Sequence, residues 1–234
     1  MDKTNKCSRE MKIKLLSSTP DARKVAFTAI RTCYSPNEPS GLFDGVEYEK
    51  YQEKPASDGN EGTDADRLFR HIVGSGHTST LEHINFVFAI EGVSRSLLAQ
   101  LTRHRVGFAF SVQSQRYVSD DTRKKKGGFQ YVIPPKVKDK DAALEAYVNV
   151  MGSLQDAYDM LIDLGIPKED ARFVLPNAAA TNLTMTANLR GLLTFYSKRK
   201  KGRGAQWEIA EFAEMLRAEV VKAEPWVERY FEEA

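Results

Sequence analysis

Residues 102–117 read TRHRVGFAFSVQSQRY: Arg103, His104 and Arg105, then an apolar run, then Ser114, Gln115, Arg116 and Tyr117. A solvated basic patch has no need of Phe108, Ala109 and Phe110 between its charges, and a core strand has no need of flanking arginines. The pattern predicts a strand, FAFSVQSQRYV, whose middle packs in the core while cations are held at the edge of a folded body. Burying an unpartnered charge is costly, so the arginines require acidic partners or an anionic ligand. Between Glu91 and Asp120 the chain has no Asp or Glu. Any acidic partner comes from elsewhere.

Working outward, SRSLLAQLTRHR (94–105) reads as a helix opening at Ser94. Before it, INFVFAIEGV (84–93) reads as a strand with Ile84, Phe86, Phe88 and Ile90 on one face and enough apolar residues on the other to be covered twice. HTSTLEH (77–83) holds Ser79 and Glu82 at capping-box spacing, which predicts a short helical turn. Asp64–Val73 carries Leu68, Phe69, Ile72 and Val73 at helical spacing, stopped by Gly74 and Gly76. Further back, Thr19-Pro20-Asp21 before ARKVAFTAIRTCY predicts a capped helix start, with Val25, Ala26, Ile30 and Cys33 on the buried face. Residues 36–63, rich in Pro, Gly, Asp, Glu and Ser, read as a long surface loop.

Downstream, 119–128 is a charged surface loop and QYVIPPKV a short strand ended by two prolines. Asp141–Leu164 is a helix with Leu144, Tyr147, Val148, Met151, Leu154, Tyr158, Leu161 and Ile162 in one stripe, ended by Gly165 and Pro167. TNLTMTAN alternates, LRGLLTFYSKR is a helix, and the chain closes in one long helix and a shorter one split at Pro225. The sum is a mixed α+β, helix-rich single domain over 1–234, with four or five strands. Its helix–strand alternation is too irregular for a doubly wound, Rossmann-type sheet.

Composition narrows the functional classes. Hydrophobic residues make up 41% and charged residues 28% of the 234, ordinary for a soluble globular protein. A formal net charge of +2 supplies no long-range attraction to nucleic acid or membrane, so anion binding must be local. Cys7 and Cys33 have no metal-type spacing and fit a reducing, cytoplasmic compartment. No apolar run approaches the roughly 20 residues of a membrane helix. The N-terminus lacks the apolar centre of a signal peptide.

Each candidate cluster has a functional and a bland reading. Arg103, Arg105 and Arg116 can fork two donors onto a phosphate or carboxylate, with Ser114 and Gln115 adding neutral bonds; the alternative is a structural salt-bridge network. KRKKGRG (198–204), five cations in seven residues, is a solvated face or a phosphate loop feeding a helix N-terminus. His71, His77 and His83, with Glu82, match neither HExxH nor a zinc finger, so no metal is expected. A pocket-edge role suits His77 or His83, and a structural role His71. Cys33 reads as a small buried residue rather than a thiolate nucleophile, with no histidine nearby in sequence.

RHR followed by eight residues and then Ser114-Gln115-Arg116-Tyr117 resembles the signature of the flavin-dependent thymidylate synthases. ARFVLP (171–176), the T-x-N-x-R run at Thr186, Asn188 and Arg190, Arg199 ahead of AQWE (205–208), and HTSTLEH are similar to the same family. The matches keep their order over about residues 20–230. The resemblance implies a family-specific fold with a mostly antiparallel sheet. It implies reductive methylation of dUMP to dTMP with 5,10-methylenetetrahydrofolate as donor and FAD reduced by NADPH, without a cysteine nucleophile. It also implies a cytoplasmic homotetramer with shared active sites, acting on small molecules rather than nucleic acid or membrane.

Carried over by position, Gln100, Arg103, Ser114, Gln115, Arg116 and Arg172 match the dUMP site. Arg199 matches an arginine between the uracil and the flavin, the candidate catalytic group. Ser79, Glu82, Arg103, His104, Arg105, Asn188 and Arg190 match flavin contacts, and His77 the flavin and folate edge. The RHR-to-serine interval is one residue longer than usual, so Ser111, Val112 and Gln113 receive no role. Thr194 stands where relatives carry an Asn. The rival readings are a nucleic-acid-binding module built on the basic clusters and a flavoprotein of another reaction class.

Overall fold

The computed structural model describes residues 9–125 and 127–233. Four strands are present among them: β1 (Lys12–Ser18), β2 (Asn85–Ser94), β3 (Phe108–Val112) and β4 (Ala180–Asn188). They form one antiparallel sheet in the order β1-β2-β4-β3. β2 and β4, in the middle, alternate as a half-covered sheet should: Phe86, Phe88 and Ile90 are buried in β2, and Thr181, Leu183, Met185 and Ala187 in β4. The other face of β2 is only partly covered, with Asn85 and Glu91 exposed, so the expected double covering does not occur.

β3 is an edge strand. It ends at Val112, and residues from Ser114 onward turn instead of extending the strand as the pattern predicted. Phe108 and Phe110 are half-buried and Ala109 is exposed, which corrects the expectation of a core-packed middle. An edge strand has a neighbour on one side only, so its side chains lose cover.

The chain divides into two compact units, and the division falls across the strands, each of which passes from one unit to the other. The first unit comprises residues up to Lys14, Ala89–Arg103 and Phe110–Met185. Its helices are α5 (Arg95–Leu101), α6 (Pro135–Lys138), α7 (Asp141–Asp163) and α8 (Lys168–Ala171). Its core cluster is Phe129, Tyr131, Met151 and Ala179, with Ile133, Tyr147, Leu154 and Leu175 packed against it. α7 obeys its period, although only Met151 and Tyr158 of the stripe are fully buried. QYVIPPKV is no strand: it makes a single bridge, Tyr131 with Ala179, because Pro134 and Pro135 cannot donate to a ladder. The 119–128 loop has no helix or strand among its described residues. It is clasped to α7 by Gln155, whose amide donates to the Asp120 carbonyl and accepts from Phe129 N.

The second unit comprises Leu15–Phe88, His104–Ala109 and the chain from Thr186 onward. It holds α1 (Ala22–Thr32), α2 (Pro39–Asp44), α3 (Glu47–Glu53), α4 (Asp64–Gly74), α9 (Leu189–Arg199), α10 (Trp207–Ala223) and α11 (Glu228–Glu233). Phe27, Ile30, Phe69, Ile72, Phe86, Phe88, Phe195 and Phe212 are all at most 2% exposed. Each such side chain contributes about 1.5–3 kcal/mol of transfer energy.

Three local expectations fail in this unit. α1 starts at Ala22, with Asp21 at φ 48° and no side-chain cap, while the Thr19 hydroxyl bonds to the Asn85 and His83 carbonyls. Its buried face is Ala22, Ala26, Phe27 and Ile30; Val25 is half-buried and Cys33 exposed. Residues 36–63 contain α2 and α3 rather than a bare loop. Thr78–His83 is a 3-10 turn, but Ser79 and Glu82 form no capping box there; the one in this unit is made by Thr63 and Asp66 at the start of α4. α4, α9, α10 and the break at Pro225 follow their patterns.

Candidate active site

In the first unit, α5 opens on the Ser94 hydroxyl, which accepts from Leu97 N. It ends at Leu101, two residues short of Arg103, so the RHR triplet leaves the helix instead of completing it as expected. Gln100 lies in the last turn of α5, with Nε2 donating to the Ser96 carbonyl at 3.4 Å. Arg103 is exposed.

After β3 the chain is fixed by β4. Asn182 Nδ2 donates to Gln113 Oε1 at 3.1 Å, its carbonyl accepts from Gln113 N at 2.9 Å, and its Oδ1 accepts from Gly92 N at 3.1 Å. Gln113, which had no counterpart by spacing, therefore anchors the turn that follows. The Ser114 Oγ accepts from Arg116 N at 3.2 Å and the Ser114 carbonyl from Tyr117 N and Val118 N, a local turn that no ladder supports. Gln115 is half-buried in it. Arg116 pairs with Glu169 at 2.9 Å. Arg172 follows α8, half-buried, its Nε donating to the Glu169 carbonyl at 3.1 Å.

Arg95, which sequence reasoning passed over, belongs with these cations. Its Nε is buried without a hydrogen-bond partner, and its Nη2 donates to the Gln113 carbonyl at 3.4 Å. Burial holds its guanidinium below the ordinary value and repulsion from Arg172 adds to that, against a smaller pull from Asp120. Two arginines that repel one another, neither paired with a carboxylate side chain among the described residues, are a place for an anion. The signal was readable: a cation in the first turn of a helix opposes the macrodipole and needs another reason to be there.

In the second unit, three distant segments converge. Arg199, the last residue of α9, donates from Nε to His104 Nε2 at 3.1 Å, a contact that requires the neutral imidazole. The His104 ring packs edge-on against Phe195 at 4.9 Å. Two residues past the exposed Arg105, the Gly107 carbonyl accepts from Asn188 N at 2.9 Å. Gly107 sits at φ 78°, and a Cβ there would lie 2.5 Å from Asn188 Oδ1, so glycine is what permits the approach. That same Oδ1 caps α9 by accepting from Gly191 N at 2.8 Å. Arg190 forms an ion pair with Glu82 of the 3-10 turn. Thr194 is exposed one turn along α9, its hydroxyl bonded to the Arg190 carbonyl.

Ser79 borders a cleft of about 470 Å³ lined chiefly by Val25, Ala29, Pro39 and Phe43, with Cys33 and His83 at its wall. Cys33 and His83, fifty positions apart in sequence, thus line the same cleft. His77 is exposed at the start of the same 3-10 turn, and His71 is exposed on α4. The phosphate-loop reading of 198–204 is weakened: Gln206 Oε1 accepts from Glu208 N and Ile209 N, occupying two of the donors at the start of α10.

The salt-bridge alternative accounts for Arg116 and Arg190. It does not account for Arg103, Arg105, Arg172 or Arg199, which pair with no carboxylate side chain among the described residues. Unpaired guanidinium groups of this kind, present in each unit, are chemically suited to phosphate or carboxylate ligands.

The profile of the family described as "Thymidylate synthase complementing protein" matches residues 14–226. The chain is 40% identical over 208 residues to a flavin-dependent thymidylate synthase of Geobacter sulfurreducens, covering 88% of this chain and 81% of that one. It is 37% identical to that of Clostridium tetani, with 94% and 86% covered, and 33% identical to that of Haloarcula marismortui, with 95% and 94% covered. Among solved structures it is similar to a UMP/dUMP methylase from Streptomyces cacaoi bound with 5-Br dUMP, at TM-score 0.74, 20% identity and 96% of each chain. It is also similar to Thymidylate Synthase X from Helicobacter pylori with FAD and dUMP, at TM-score 0.64 and 22% identity, covering 96% of this chain and 98% of that one. At those identities the two structures speak to the fold, which they share.

Proposed function

We propose, from the premise that the chain belongs to the flavin-dependent thymidylate synthase family, that it converts dUMP to dTMP with a bound FAD. The methylene donor is 5,10-methylenetetrahydrofolate and the reductant NADPH. The observation that carries the reading is identity of 33–40% over most of the chain to enzymes of that activity, with a family match from residue 14 to 226. Residues 1–234 act as one catalytic domain in a cytoplasmic homotetramer.

Gln100, Arg103, Ser114, Gln115, Arg116 and Arg172 hold dUMP, with Arg95 added to the phosphate end. Ser79, Glu82, Arg103, His104, Arg105, Asn188 and Arg190 hold FAD, and His77 stands at the flavin and folate edge. The flavin supplies the hydride chemistry when bound. The chain's own contribution is charge placement. Guanidinium groups meet the phosphate, and Arg199, bonded to dUMP in this reading, polarises the uracil as electrons move toward its carbonyl oxygens. The neutral His104 imidazole fixes the Arg199 side chain at Nε and leaves its Nη nitrogens for the pyrimidine. No thiolate is assigned a role.

The test is spectroscopic and isotopic. Purified protein is expected to carry a flavin spectrum that bleaches with NADPH in the absence of air. It should also release the C5 hydrogen of dUMP only when methylenetetrahydrofolate is present. A protein that takes up no FAD overturns the reading; flavin reduction without loss of the C5 hydrogen assigns another flavin reaction.

A further inference from the structure

Glu169 of the four-residue helix α8 touches both arginines assigned to the phosphate end of the nucleotide. Its Oε2 accepts from Arg116 Nε at 2.9 Å, and its backbone carbonyl accepts from Arg172 Nε at 3.1 Å. The residue before it, Lys168, donates from Nζ to the Tyr117 carbonyl at 2.9 Å and so ties the same turn to α8. The two arginines are held alike. Each is bonded through Nε, the inner donor, and each guanidinium lies over the ring of the following aromatic residue, Arg116 at 5.7 Å from Tyr117 and Arg172 at 6.0 Å from Phe173. Bonding at Nε leaves the two Nη nitrogens of each arginine for a second acceptor.

The ion pair has little to do with folding. Its side chains are 54% and 49% exposed, and pairs in that setting contribute little to stability. What it does is remove rotamer freedom from Arg116 before a ligand arrives, and ordering a long side chain is a cost that binding otherwise bears. We propose that Glu169 is a positioning residue for the nucleotide phosphate, acting through Arg116 by its carboxylate and through Arg172 by its carbonyl. The proposal rests on the reading of Arg116 and Arg172 as dUMP ligands.

Steady-state kinetics of the full-length, FAD-loaded enzyme test it. Glu169→Ala is expected to raise KM for dUMP about 3- to 10-fold with kcat and melting temperature unchanged, the cost of one unordered arginine. Glu169→Gln, which keeps an oxygen acceptor for Nε, is expected to stay within roughly 2-fold of the wild type. An unchanged or lower KM in Glu169→Ala overturns the proposal, as does a fall in kcat alone or a failure of Gln to restore binding. Arg116→Ala run in parallel separates the two levels. If it loses dUMP affinity and Glu169→Ala does not, the positioning role fails and the nucleotide site stands; if it changes nothing, the assignment of the site fails.

Discussion

The nucleotide-side and flavin-side residues are built by different means. Those assigned to dUMP, apart from Arg199, lie in the first unit on a helix end, a loop turn and a 3-10 segment. Their order comes from short-range turn bonds, such as Arg116 N donating to Ser114 Oγ, and from separate single side-chain ties to Glu169 and Asn182. Those assigned to the flavin, apart from Arg103, lie in the second unit. There they are tied by contacts of high sequence separation: Glu82 with Arg190, Gly107 with Asn188, His104 with Arg199. One half is therefore open to tuning by single side chains, whereas the other is an interlocked set in which one misplaced atom moves several residues.

The comparison can be broken first at Arg199. Arg199→Ala is expected to lower kcat by roughly 10²–10³, as for loss of one preorganised donor to developing charge, with bound FAD retained. A loss confined to KM would move Arg199 out of the catalytic role. Next, Arg116→Ala should weaken dUMP binding by about 1.5–3 kcal/mol, or roughly 10- to 150-fold, without altering flavin content. Titration calorimetry showing equal dUMP affinity would remove Arg116 from the nucleotide side.

Gly107→Ala probes the interlocked half. Forcing a Cβ against Asn188 at a left-handed φ should cost about 1–3 kcal/mol of stability and reduce FAD content. A thermal melt and flavin spectrum matching the wild type would show that the Gly107–Asn188 approach is slack. Acid offers a weaker lever on the same unit. Arg70 holds Asp58, and Arg67 holds Asp64, at about 2, below the ordinary 3.8. A depressed carboxylate contributes stability that is present above its unfolded value and lost as pH falls through the folded one, here from about 4 toward about 2. Asp58→Asn should shrink the loss of melting temperature between pH 5 and pH 3, and an identical loss would count Asp58 out. The smallest effect is expected at Cys33: Cys33→Ser should leave turnover within roughly 2-fold, since no covalent step is assigned to the thiol. Abolished activity would reinstate a nucleophile.

Legibility followed the range of the interaction. A period-3.6 stripe placed α7, alternation placed β2, and the order RHR, Ser114-Gln115-Arg116-Tyr117, ARFVLP and T-x-N-x-R pointed to the family. Local grammar misled where a distant partner competed for the same group. Glu82 pairs with Arg190 instead of closing a capping box, and the Thr19 hydroxyl bonds to β2 instead of capping α1. Arg95 went unread because its importance lies in a buried Nε and a like-charged neighbour 77 positions on, neither of which has a local pattern.

Residue type and spacing were enough to specify the candidate anion-binding side chains, the long helices and the central strands, because those depend on neighbours within a turn or two. α2, α3 and the early ends of α5 and β3 escaped them. Which arginines keep a free charge, which carboxylates hold them, whether β3 lies at the sheet edge and whether Cys33 faces a cleft were decided by the fold. Those outcomes depend on groups brought together from 50 to more than 100 residues apart, and no local propensity encodes that distance.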